Sequence, residues 1–112
     1  MKTFNNSAAQ GDILIIRLAR LPEGAKKLEG ENGKFIVAHS ETGHHHTVQA
    51  NNNQFYQSAN DEMIMYLEIN EGTPLIHNRS FDTHDPIMLK QGVYEVRRQR
   101  EYTPKGWRRV AD

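Results

Sequence analysis

The sequence predicts an all-β protein, a small antiparallel barrel or sandwich forming one domain over residues 1–112. Three observations predict it. Short apolar stretches recur along the chain, none sustains a period of 3.6 residues, and each is bounded by Gly, Pro, Asn or Asp, which turn a chain. Eight such stretches fit a chain of 112 residues, long enough to bury one core.

Gly11-Asp12 opens a strand from Ile13 to Leu18, which Pro22-Glu23-Gly24 closes. Lys34 to His39 follows the turn Glu31-Asn32-Gly33 as a second strand. His45 to Gln49 is the third and Gln54 to Ser58 the fourth, with the polar tract Asn51-Asn52-Asn53 between them. Glu62 to Ile69 is the longest: Met63, Met65, Leu67 and Ile69 fall on one face, Ile64 and Tyr66 on the other, so the strand is expected to be largely buried. After Glu71-Gly72-Thr73-Pro74 come Leu75 to Asn78 and Pro86 to Leu89, and Lys90-Gln91-Gly92 leads into a final strand, Val93 to Gln99. Only the residues around Lys26 to Leu28 and the short tail after Pro104 are expected to form short helix.

Composition removes several functions. Fourteen basic and fourteen acidic side chains give zero net charge, which excludes a polyanion binder acting through its whole surface. The absence of cysteine excludes disulfides, thiolate metal sites and cysteine nucleophiles. The N-terminus lacks the apolar core of a secretory signal, and no apolar run reaches membrane-spanning length, so the expected location is the cytoplasm. No phosphate-binding glycine loop, nucleophile elbow, His-Glu-x-x-His helix or EF-hand loop occurs.

One segment carries chemistry: "HSETGHHHTVQ", residues 39–49, holds four of the six histidines. If Thr42-Gly43 is the two-residue turn of a hairpin, Glu41 faces His44, Ser40 faces His45, His39 faces His46 and Val37 faces Val48. Paired residues share a face, so His39, Glu41, His44 and His46 project together and His45 points away. Opposed Cβ atoms stand about 5 Å apart and alternate residues roughly 6.5 Å, so these side chains are spaced to converge on one ion. Imidazole and carboxylate ligands suit Zn, Fe, Mn or Ni without choosing among them, and the ion's role, structural or catalytic, stays open. His77 and His84 are further ligand candidates. A longer loop would shift the register and leave only a histidine-rich surface segment.

A second segment, "VRRQREYTPKGWRR", gathers Arg97, Arg98, Arg100, Lys105, Arg108 and Arg109 against Glu101, with Tyr102 and Trp107 interleaved. Cations beside aromatic rings suit single-stranded nucleic acid or a protein partner. They also suit the protection of an exposed edge, if Val93 to Gln99 ends a sheet.

The His-x-His pair and the strand "PIMLKQGVYEV" resemble the His-x-His strand and glycine-punctuated closing strands of cupins, which implies cupin-like architecture. "QGDILIIR", "LPEGAK", "HSETGHHH" and "VRRQREYTPKGWRRVAD" together resemble an uncharacterised family of small proteins of phages, prophages and bacterial genomes. That resemblance implies a phage-related accessory protein of the host cytoplasm, or a capsid or decoration component of a virion. Its implied partners are a second copy of the chain or a phage or host protein.

Overall fold

A computed structural model describes residues 2–30, 33–38, 45–77, 86–98, 100–103 and 106–109. Every regular element in it is a strand. They are β1 (Ser7–Gln10), β2 (Ile13–Leu18), β3 (Lys26–Leu28), β4 (Lys34–Ala38), β5 (His46–Gln49), β6 (Gln54–Gln57), β7 (Ile64–Ile69), β8 (Thr73–His77), β9 (Ile87–Leu89), β10 (Gly92–Arg98), β11 (Arg100–Thr103) and β12 (Gly106–Arg109).

Two antiparallel sheets face each other. One runs β1-β2-β10-β7-β6-β3, the other β4-β5-β8-β9, and β11 pairs with β12 in a separate ribbon. The architecture is thus a sandwich, not a closed barrel. Two expectations of helix are corrected: Lys26–Leu28 is a strand paired with Gln57, Tyr56 and Phe55, and the segment after Pro104 returns as β12. β10 is also no edge strand, since β2 and β7 flank it, so its arginines do not guard a sheet margin.

Alternation explains the core. Ile13 and Ile15 of β2, Leu67 and Ile69 of β7 and Val96 of β10 meet Val48 of β5, Leu75 of β8 and Ile87 and Leu89 of β9, all between 0 % and 2 % exposed. Each aliphatic side chain taken fully out of water contributes about 1.5–3 kcal/mol. Phe35 of β4 stacks on Phe55 of β6 at 4.0 Å between ring centres, tying the sheets together near their edges. The expected burial of the seventh strand is seen: Met65, Tyr66, Leu67 and Ile69 are all buried.

Two turn regions are fastened by polar side chains. The Asn51-Asn52-Asn53 tract docks on the β7–β8 turn: Asn53 Oδ1 accepts from the Asn70 and Glu71 amides at 2.9 and 3.0 Å, and its Nδ2 donates to the Gln49 carbonyl at 3.0 Å. Asn52 takes φ 63°, a left-handed conformation asparagine tolerates, and donates to Glu71 Oε2 at 2.8 Å. Before β10, Arg17 donates to the Gln91 carbonyl at 2.9 Å and lies 5.5 Å from the Tyr94 ring centre, while the Tyr94 hydroxyl donates to the Lys90 carbonyl at 2.7 Å. Gly92 takes φ 154°, a backbone conformation that residues with a Cβ rarely adopt, where it lies against the Arg17 guanidinium.

Candidate functional site

The first hairpin sends two polar groups into the core. β1 reads Ser-Ala-Ala-Gln, and its alternation buries Ala8 and Gln10. Gly11, at φ 56°, occupies the first position of the turn to β2, where a primed hairpin turn asks for positive φ. The second turn residue, Asp12, is only 3 % exposed.

Across the interior, β5 and β8 pair so that His46 stands directly opposite His77. Both are 0 % exposed, and their rings stack 4.0 Å apart with an interplanar angle of 11°. Four polar side chains from both sheets, Gln10, Asp12, His46 and His77, therefore share the buried region where the sheets meet.

The hydrogen-bond roles follow in sequence. Gln10 Nε2 donates to the Leu75 carbonyl at 3.0 Å, which turns its Oε1 toward His46 Nδ1 at 2.9 Å. A carbonyl oxygen only accepts, so His46 Nδ1 carries a hydrogen. His46 Nε2 faces Asp12 Oδ1 at 3.0 Å, and an ionised carboxylate also only accepts. With a neutral ring and an ionised carboxylate, two lone pairs would confront each other. A positive centre must lie between these atoms, either a proton or a metal ion.

The distance suits both. A charge-assisted N–H···O bond has about this length. Two donors held about 2.0–2.2 Å from one ion, at bond angles near 90–110°, stand roughly 2.8–3.6 Å apart. The Gln10 contact matches what metal-bound histidines need, because their other ring nitrogen is normally oriented by a carbonyl or carboxylate acceptor. Among the described residues, no three His, Asp or Glu side chains already stand in a metal-holding arrangement.

The predicted site residues divide into three groups. His46 and His77 are brought together. His39, Glu41, His44 and His84, and with them Lys105, lie outside the described residues. The hairpin register differs from the expected one: Phe35 faces Val48, Ile36 faces Thr47, and after an irregularity Ala38 faces His46. His46 therefore does not pair with His39, nor Val37 with Val48. The Ala38–His46 pair is already one residue off the expected register, and the irregularity between Ile36 and Ala38 adds a second.

Of the basic residues, Arg97 is exposed and meets Glu95 at 3.0 Å, whereas Arg98 is half-buried. Arg100 pairs with Arg109, Glu101 with Arg108 and Tyr102 with Trp107 in the β11–β12 ribbon. Sequence reasoning missed Gln10 and Asp12. Their only signal was the block Gln-Gly-Asp, which reads as an ordinary exposed turn.

No curated protein and no solved structure matches this chain. A family model matches residues 9–99, a span that includes Gln10, Asp12, His46 and His77 and ends before the β11–β12 ribbon. The chain belongs to the family described as a domain of unknown function, DUF8820.

Proposed function

We propose that this protein binds one divalent metal ion where its two sheets meet, with His46 Nε2 and Asp12 Oδ1 as the first two ligands. One observation supports the reading: the buried His46 Nε2 and Asp12 Oδ1 stand 3.0 Å apart, a spacing that two ligands of one ion share with a charge-assisted hydrogen bond. His77, stacked on His46, offers the next imidazole, and the sequence offers His44 and His84 to complete the set. The nitrogen and oxygen donors suit Zn, Fe, Mn or Ni.

Gln10 holds the His46 ring by its Nδ1 hydrogen. An ion at Asp12 and His46 ties the β1–β2 turn of one sheet to β5 of the other, which is a structural role. A coordination position left to water would add hydrolytic chemistry. The sequence blocks support the setting of a small phage-related accessory protein.

The test is elemental analysis of untagged protein purified without chelator. About one equivalent of metal per chain is expected, with at least tenfold weaker binding in Asp12→Ala and His46→Ala, in the range seen when ligand shells are disturbed. Metal-free protein whose melting temperature ignores added Zn, Mn and Ni would refute the reading.

A second reading rests on the C-terminal ribbon. Residues 97–109 carry six cations against Glu101, a net +5, so the rest of this neutral chain carries −5. The ribbon also sets Arg100 opposite Arg109 and Tyr102 opposite Trp107. That composition suits single-stranded nucleic acid, with phosphate neutralised by arginine and bases stacked on rings. Fluorescence anisotropy with an oligothymidylate is expected to show binding that weakens steeply with salt and in Arg100→Ala/Arg109→Ala. No binding at low salt would end it.

A further inference from the structure

Four strands end the two sheets: β1 and β3 end the first, β4 and β9 the second. An edge strand offers a row of unpaired main-chain groups, and proteins guard such edges with charge, irregularity or cover. β3 carries the exposed lysines Lys26 and Lys27. β4 carries exposed Lys34 and the irregularity between Ile36 and Ala38. β9 is covered, since the Lys2 amide donates to the Pro86 carbonyl at 3.1 Å and the Met88 amide donates to the Lys2 carbonyl at 2.9 Å. Among the described residues β1, Ser-Ala-Ala-Gln, has none of these devices.

The pairing with β2 fixes which groups of β1 face the open side. The Arg17 amide donates to the Asn6 carbonyl at 2.8 Å, and β1 continues in that register, from Ser7 opposite Ile16 to Gln10 opposite Ile13. Antiparallel pairs alternate between bonded and non-bonded, so Ala8 and Gln10 bond to β2, whereas Ser7 and Ala9 turn their amides and carbonyls to the edge. Both residues are exposed. Their side chains are small, uncharged and directed away from the core, because Ala8 and Gln10 point into it.

We propose that β1 joins two copies of this chain, antiparallel about a twofold axis at Ala8. Ser7 exchanges both main-chain hydrogen bonds with the partner's Ala9, and Ala9 with the partner's Ser7, so every outward group of the two residues is satisfied. The two six-stranded sheets become one continuous sheet. A foreign strand added to an edge is selected by pockets for its alternate side chains, and β1 offers no long or charged side chain to build one. Paired with itself, the edge opposes small residues to small ones and no like charges, the self-complementarity a twofold contact requires. The contact uses none of the atoms assigned to the metal ion, so either proposal stands without the other.

The test is sedimentation equilibrium of the untagged full chain from micromolar to millimolar concentration, where a reversible monomer–dimer equilibrium is expected. Ala9→Pro removes the outward amide hydrogen at a place where an edge strand tolerates proline. It is expected to weaken dimerisation at least about tenfold with an unchanged circular dichroism spectrum. Ala9→Lys alone is expected to weaken the dimer severalfold, and Ser7→Glu added to it sets a carboxylate opposite each ammonium and restores the parent's affinity. That pair tests the register even where proline perturbs folding. A chain still monomeric at millimolar concentration, a dimer that a folded Ala9→Pro leaves intact, or a double variant no tighter than Ala9→Lys alone would overturn the proposal.

Discussion

Two runs of one polar residue type, the asparagines at 51–53 and the histidines of the 39–49 segment, meet different fates in this fold. Asn53 spends its side chain on three main-chain partners, each donor facing an acceptor, and the latch between the β5–β6 and β7–β8 turns is complete. His46 is more deeply buried, yet both its ring nitrogens face oxygen acceptors. The asparagine latch balances within the protein's own atoms. The histidine cluster closes only with a proton or a metal ion between His46 Nε2 and Asp12 Oδ1, and the proposed metal site turns on which of the two it is.

The sharpest way to break this comparison is at Asp12 and His46. His46→Ala removes one member of a buried polar pair and is expected to destabilise the protein by about 3–5 kcal/mol, measured by urea unfolding. Asp12→Asn keeps shape while replacing the carboxylate by a group whose amide hydrogen can be donated to a neutral Nε2. With a metal as the cation, Asp12→Asn loses metal affinity and the metal-dependent rise in melting temperature. A variant as stable as the parent, with unaltered metal response, would put a proton in the ion's place.

Asn53→Ala sharpens the other side. Losing three hydrogen bonds at a buried residue is expected to cost about 3 kcal/mol. The loss should be the same with or without metal. A metal-dependent loss would mean that the two regions are coupled.

The smallest effect lies at Tyr94. Burial raises its hydroxyl pKa above the ordinary 10.0, and the nearby Arg17 guanidinium opposes that rise without cancelling it. The group is neutral below the unfolded value, so its contribution is fully present there and is lost as pH rises through the higher folded value. Tyr94→Phe is expected to flatten the fall in stability above the ordinary tyrosine pKa of 10.0, measured by urea unfolding as a function of pH. An unchanged slope would assign the fall to other groups.

Most strands were legible because their apolar residues alternate or run continuously, as in Ile13–Leu18 and Ile64–Ile69. β1 was not, because its inward residues are Ala8 and Gln10, and a polar inward residue is invisible to hydrophobic patterning. β3, with two exposed lysines and one half-buried leucine, is a strand only through its pairing with β6. Within the candidate site, histidine density pointed to the segment that supplies His46. Opposing His46 to His77, and bringing Asp12 across from the other sheet, depend on long-range pairing that no local spacing encodes. A register counted back from the turn misses both the Ala38–His46 pairing, one residue off, and the further shift at the irregularity after Ile36.

The central claim is that a metal ion, not a proton, belongs between His46 Nε2 and Asp12 Oδ1. Its most direct test is the ¹⁵N spectrum of the imidazole rings before and after one equivalent of Zn²⁺. The account predicts that His46 keeps its Nδ1 hydrogen to Gln10 while its Nε2 resonance moves to a metal-bound position. A His46 ring that stays protonated at both nitrogens through excess Zn²⁺ would contradict it.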